Sequence, residues 1–257
     1  MPSGRLLLSS ILENAGYPRA GAISPDGRTI ACGNAPDTRL IELVSGQFRH
    51  RFPVQSHALA FTPDNRFLVT AAADAPGYVW DIRGSLARPL APENWDRVWK
   101  DLVGDDAEAA FQAIRSIAAH PKSGTPFLRK RVAERPSLSA EKFIALMNGL
   151  KSEQFTERER STEELGKCAE LAEPGVLKAM DTDPSPELHK RANQALKAAE
   201  PRFLGERRWT VRIVEAIEWS GTQDSRELLI EWSRGAAHSR LTVESVAALR
   251  RLEVPNR

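Results

Sequence analysis

The side chains of this chain that could carry chemistry are scattered rather than gathered into a motif. His57, His120, His189 and His238 stand singly along the sequence. There is no GxSxG turn to present a nucleophile, no glycine-rich phosphate loop and no HExxH pair to hold zinc. The run Glu157, Arg158, Glu159, Arg160, Glu163, Glu164 offers carboxylates for acid–base work. Its spacing, however, is that of i, i+3 and i+4 ion pairs on a solvated helix face. Cys32 and Cys168 are far apart, without a CxxC partner, and read as small buried apolar residues. The residues therefore imply no catalytic group, no metal site and no cofactor.

Two groups remain as candidates for binding. Arg202, Arg207, Arg208 and Arg212 surround Trp209, a mixture of cations and an aromatic ring suited to phosphate or a stacked base. Glu200, Glu206 and Glu215 interleave with them and weaken the field, which makes nucleic-acid binding the alternative reading rather than the leading one. Trp95 and Trp99, one helical turn apart, form either an aromatic shelf or a plug between sheet and helices; the plug is the expected role. Bulk charge adds nothing to a nucleic-acid reading. The formal charge is +2, residues 1–90 hold 9 basic and 7 acidic side chains, and the remaining 27 basic residues face 27 acidic ones.

These side chains need elements to position them. A length of 257 residues with 41% apolar and 27% charged residues is that of a folded chain of one large domain or two ordinary ones. The opening Arg5, Leu6–Leu8, Ile11 and Leu12 run ends at Glu13, too short and interrupted for a membrane span and poor as a signal peptide, so the chain reads as cytoplasmic. Next comes a repeat. PDGRTIACG (Pro25–Gly33) is rewritten as PDNRFLVTA (Pro63–Ala71), and in part as PSGRLLLSS (Pro2–Ser10). Proline followed by Asp-Gly or Asp-Asn sets a tight turn, and the alternation at Thr29–Cys32 and Phe67–Thr70 predicts a half-buried strand after each. Each turn is followed by a second strand segment, RLIELVSG (Arg39–Gly46) and YVWDIRGS (Tyr78–Ser85). Pro25 and Pro63 are 38 residues apart but Ile41 and Trp80 are 39, so a single loop insertion separates the two registers.

AISPDGRTIACG and AFTPDNRFLVTA, followed by Tyr-Val-Trp-Asp-Ile, resemble bacterial WD-repeat β-propellers over about residues 1–85. The resemblance implies four-stranded blades steadied by a Trp, a Ser/Thr, a turn Asp and a loop His. Trp80, Asp74 and Thr70 match in the second copy. Ile41 replaces the Trp in the first, leaving Asp37 as its member, and no His falls in place although His50 and His57 lie nearby. A propeller closes with four or more blades, and this chain supplies two and a fragment. It reads either as the tail of a longer propeller with blades before Met1, or as a small degenerate sheet that shelters its edges on the helical segment after it. In either case the strand edges must be managed, and the sheets alone bury too little to be stable.

From Trp95 the apolar period changes from two to 3.6. Ala107, Ala110, Phe111, Ile114, Ile117 and Ala118 make one helix face. Helices are then expected from Thr125–Pro126 to Val132, after Ser139 as far as Gly149, over Glu153–Cys168 and over Pro174–Met180. Further helices are expected from Ser185–Pro186 to Ala199 and over Arg207–Trp219, Gln223–Ser233 and Thr242–Leu252, the last with Leu241, Ala248, Leu249 and Leu252 facing inward. FTERERSTEEL, AEPGVLKAM and SPELHKRANQAL, with VRIVEAIEWSGTQDSRELLIEWSRG, resemble HEAT-like repeats over about residues 140–252; Arg160 and Gly166 depart from that pattern.

The expected fold is α+β: N-terminal antiparallel sheets of WD-repeat type over residues 1–90, an incomplete propeller, followed by an all-α HEAT-like helical repeat domain over residues 95–257. The expected function is a non-enzymatic scaffold for protein partners, with no membrane, with nucleic acid disfavoured and with self-association through sheet edges left open.

Overall fold

The computed structural model describes residues 20–33, 36–72, 75–84 and 94–253. They divide into two compact units between Ala119 and His120.

The first unit begins with two antiparallel meanders. Strands β1 (Ala20–Ile23), β2 (Thr29–Gly33), β3 (Thr38–Glu42) and β4 (Phe48–Phe52) form one sheet in that order. Strands β5 (Ala58–Phe61), β6 (Phe67–Ala72) and β7 (Ala75–Asp81) form the other. The repeated turns share one hydrogen-bond scheme. The Ser24 hydroxyl donates to Asp26 Oδ1 at 2.6 Å and accepts from the Thr29 N–H, while the Arg28 N–H donates to Asp26. In the second turn Thr62, Asp64, Phe67 and Arg66 make the same bonds, hydroxyl to carboxylate at 2.5 Å. Each turn needs one residue at positive φ, and Gly27 (69°) and Asn65 (57°) supply it. The structure puts the loop insertion in the second copy, where the β6–β7 register shifts between Thr70 and Ala72 while β2–β3 pair evenly.

Two helices complete this unit, α1 (Trp95–Val103) and α2 (Ala107–Ala119). Asn94 caps α1 by accepting from the Asp96 and Arg97 N–H groups, and Asp106 does the same for α2. The last described strand ends at Asp81 and the next described helix starts at Trp95, while the compact unit runs on to Ala119. The reason is the α2 apolar face: Phe111, Ile114 and Ile117 are buried, and Phe111 lies against His50 and under the Arg49 guanidinium of β4.

The second unit is wholly helical: α3 (Pro121–Ala133), α4 (Ala140–Gly149), α5 (Phe155–Gly166), α6 (Ala169–Thr182), α7 (Pro186–Ser220), α8 (Gln223–Ser233) and α9 (Arg240–Glu253). Ser139, Ser185 and Thr222 cap three of them, and Gly221 (φ 62°) ends α7 in the left-handed region. Several ends differ from expectation. Pro121, not Pro126, stands at the first position of α3, so Pro126 lies inside the helix. Pro174 likewise lies inside α6. The two helices expected around Pro201 are one of 35 residues. A proline costs a helix one backbone hydrogen bond, and here the buried stripe Leu188, Ala192, Ala195, Ala199, Phe203 carries the helix across it. Leu146, Leu150, Leu165, Ala172 and Val176 close the same core. In α9 the buried face is Thr242, Ser245 and Ala248, and Leu252 is exposed, contrary to the expected leucine face.

Candidate interaction surfaces

In the first unit the residues picked out by the repeat lie at equivalent places in the two sheets. The Trp80 indole N–H donates to Thr70 Oγ1 at 3.0 Å, and Thr70 is buried. The half-buried Trp80 ring lies between Phe52 and Tyr78, with centroids 4.7 and 5.4 Å away. At the matching places in the first sheet Ile41 and Cys32 make an apolar pair, both buried, with Ile30 and Phe48 around them. Burial pushes the Cys32 thiol up, which leaves it protonated and unreactive near neutrality. Asp37 stands before β3 and is held by Arg39 at 2.8 Å and Arg51 at 3.0 Å. Asp74 lies outside the described residues. His50 is enclosed by Phe52 and Phe111, and burial first, then the nearby Arg115 charge, lowers its pKa.

In the second unit the basic group centred on Trp209 does not form one open cationic face. Arg212 is fully buried and Trp209 almost so, its indole N–H donating to Glu206 at 2.6 Å. Arg202 is paired with Glu170 at 3.0 Å and donates to the Gly166 carbonyl. Arg207 forks onto Glu173, which Arg240 also reaches at 2.7 Å. Arg208 is half-buried. A helix 35 residues long passes through the middle of its unit, so arginines at neighbouring positions point to different surroundings rather than to one face.

No motif announces the triad of Glu173, Arg207 and Arg240, though one sign of it is present in the sequence. Glu173 lies one helical turn beyond Ala169 on the stripe of Ala172 and Val176, the buried face of α6. Burial alone pushes the Glu173 carboxyl up, but Arg207 and Arg240 outweigh it and hold the group below its ordinary value. The acidic and basic run on α5 is also not a purely solvated face. Glu163 and Glu164 pair within one turn with Lys167, a residue outside the run. Arg158 and Glu159 instead reach α7, pairing with Glu187 and with the buried Arg191. His238 is buried, bonds the Leu138 carbonyl at 2.9 Å and stacks on Phe143.

A hollow within this unit measures about 460 Å³ and is lined by apolar residues, among them Leu138, Trp209 and Trp232, with Arg135 and Glu206. The Arg135 guanidinium covers the Trp209 ring at 4.3 Å and faces Glu206 at 3.7 Å. Desolvation raises the Glu206 carboxyl above its ordinary value. Among the described residues no group of three His, Cys, Asp or Glu side chains is placed to hold a metal ion, and no described helix is long and apolar enough to cross a membrane.

No family model matches the chain. It is 34% identical over 82 residues, 30% of its length, to the small ribosomal subunit protein RACK1y of Oryza sativa subsp. japonica, a WD-repeat protein. The chain spans about a quarter of that relative (24%).

Proposed function

We propose that this chain is a non-enzymatic scaffold for protein partners, its sheets the tail of an incomplete WD-repeat propeller and its second unit a HEAT-like helical platform. The observation that carries the reading is the pair of turns. Ser24/Asp26/Arg28/Thr29 and Thr62/Asp64/Arg66/Phe67 make the same bonds in consecutive sheets, which is what a structural repeat requires. The similarity to RACK1y points the same way. Repeat architectures present broad rigid surfaces and need no reactive group. The polar residues inside this chain suit that use, since His238, Glu173 and Arg191 are all engaged in holding helices together.

The test is to immobilise the purified full chain at near-physiological salt and measure stoichiometric capture of a protein. Alongside it, thermal melts with nucleotides, divalent metals, single-stranded RNA and duplex DNA are recorded. The expected result is a saturable protein complex and melting temperatures unmoved by the small ligands and nucleic acids. A nucleic acid that raises the melting temperature in a salt-dependent way overturns the reading, because counterion release marks phosphate contacts.

A further inference from the structure

The hollow in the second unit is assembled from side chains that no sequence pattern joins. Glu206 and Trp209 lie three residues apart on α7 and so share one face of that helix. Trp232 comes from the last turn of α8, Leu241 from the first turn of α9 and Leu171 from α6. Arg135 and Leu138 belong to the connection between α3 and α4, which His238 holds through the Leu138 carbonyl. The walls are therefore apolar and aromatic, with one buried carboxylate and one guanidinium among them. Glu231 also lines the hollow, but Arg129 engages it at 3.1 Å.

Glu206 and Arg135 are neighbours, yet neither is saturated. The Glu206 side chain is 13% exposed and that of Arg135 32%, so the carboxylate is withdrawn from water while the guanidinium stands at the mouth. A carboxylate has room for about four hydrogen bonds. Among the described residues that of Glu206 accepts one, from the Trp209 indole. Arg135 lies on the Trp209 ring and comes no closer to Glu206 than 3.7 Å, beyond a hydrogen bond. Its side-chain N–H groups are thus taken by no acceptor among the described residues. Desolvation holds the Glu206 carboxyl above its ordinary value, and a cation brought against it offsets that cost.

We propose that this hollow binds a free α-amino acid with a large apolar side chain. Its ammonium donates to Glu206, its carboxylate accepts from Arg135, and its side chain enters among Leu138, Trp209 and Trp232. The two charged groups of an α-amino acid are separated by a single carbon, so they face two protein groups 3.7 Å apart side by side, with charge alternating round the four. Charge balance selects this ligand over its relatives. A peptide N-terminus brings a cation without an anion and leaves Arg135 uncompensated. A peptide C-terminus or a phosphate sets a second negative charge against Glu206. An uncharged apolar molecule desolvates both groups and partners neither. The volume of about 460 Å³ is ordinary for a small-molecule site. All of its lining lies in the second unit, so the proposal owes nothing to the repeat of the sheets or to a protein partner.

The experiment is isothermal titration calorimetry of the purified full chain with L-leucine, L-phenylalanine and L-tryptophan. The amide of each, which lacks the carboxylate, and the N-acetyl derivative of each, which lacks the ammonium, are titrated beside it. Arg135→Gln and Glu206→Gln proteins repeat the series, their folding checked by circular dichroism melts without ligand. The expected result is saturable one-to-one binding of at least one amino acid. Its amide, its N-acetyl derivative and both variants should each weaken binding at least about tenfold, because each removes one charge-assisted contact. Absence of saturable binding up to the millimolar range overturns the proposal. An amide that binds as tightly as its amino acid overturns it in favour of a peptide N-terminus, and an equally tight N-acetyl derivative in favour of a C-terminus. Unchanged affinity in either variant overturns it as well, since the ligand then sits elsewhere. Arg135 stands on a half-exposed connection, so its variant decides the matter should Glu206→Gln fail to fold. No protein partner enters these titrations, so the proposal and the scaffold reading fail separately.

Discussion

The two sheets differ most where they correspond most closely. In the second, Trp80 and Thr70 share a hydrogen bond; in the first, the same two places hold Ile41 and Cys32, an apolar pair at 0% and 2% exposure. A buried hydroxyl without a partner costs about 1–3 kcal/mol, while exchanging both partners for apolar groups is close to neutral. The two positions are therefore replaced as a pair. A tryptophan facing Cys32, or an isoleucine facing Thr70, would leave one polar group unsatisfied or one pocket misfilled.

The largest expected effect tests the burial half of the comparison. Leu40→Ala should cost about 2–5 kcal/mol and Val79→Ala less than about 0.5, although the two occupy the same repeat position. Urea titration of the first unit's unfolding, followed by tryptophan fluorescence, decides it; equal costs would mean that the two faces are equally covered. Next is the pair itself. Trp80→Ile should cost about 2–3 kcal/mol and Thr70→Cys about 1, and the double variant should recover about 1 kcal/mol relative to their sum. A cycle that adds without coupling breaks the claim that the positions act as a unit.

A smaller effect separates the turns. Gly27→Ala should cost about 1 kcal/mol, because a Cβ is strained at φ 69°. Asn65→Gly should cost less than that, since glycine accepts the φ of 57° and only the bond from the Asp26 N–H to the Asn65 side chain is lost. Both are read from the same urea titration. The smallest effect is in pH. Burial pulls the Asp64 carboxyl up, but the Thr62 hydroxyl, the Arg66 N–H and the Arg83 charge hold it below its ordinary value. A carboxyl held low stabilises the fold above its unfolded pKa, and that contribution is lost as pH falls through the folded value. The first unit should therefore lose stability on acidification below about pH 4, and Asp64→Asn should flatten that part of the curve.

What could be read from the sequence alone was what neighbouring residues decide among themselves. The turns at Pro25 and Pro63, the strands they feed, the Ser139 and Ser185 caps and the Gly221 terminus all depend on contacts a few residues long, and the structure has them where the residues put them. The α+β order of sheets before helices follows from the change of apolar period near Trp95. The tertiary structure decided the rest. Pro201 would stop an isolated helix, yet the stripe from Leu188 to Phe203 is buried against α5 and α6, and that burial outweighs one lost hydrogen bond. Arg207 and Trp209 are neighbours in a basic run, but the helix turns one toward Glu173 and the other toward Glu206. Thr242 and Ser245 are polar by type and buried by position, while Leu252 is the reverse. Which residues meet, and which face stays open, depends on distances across the fold that no local pattern encodes.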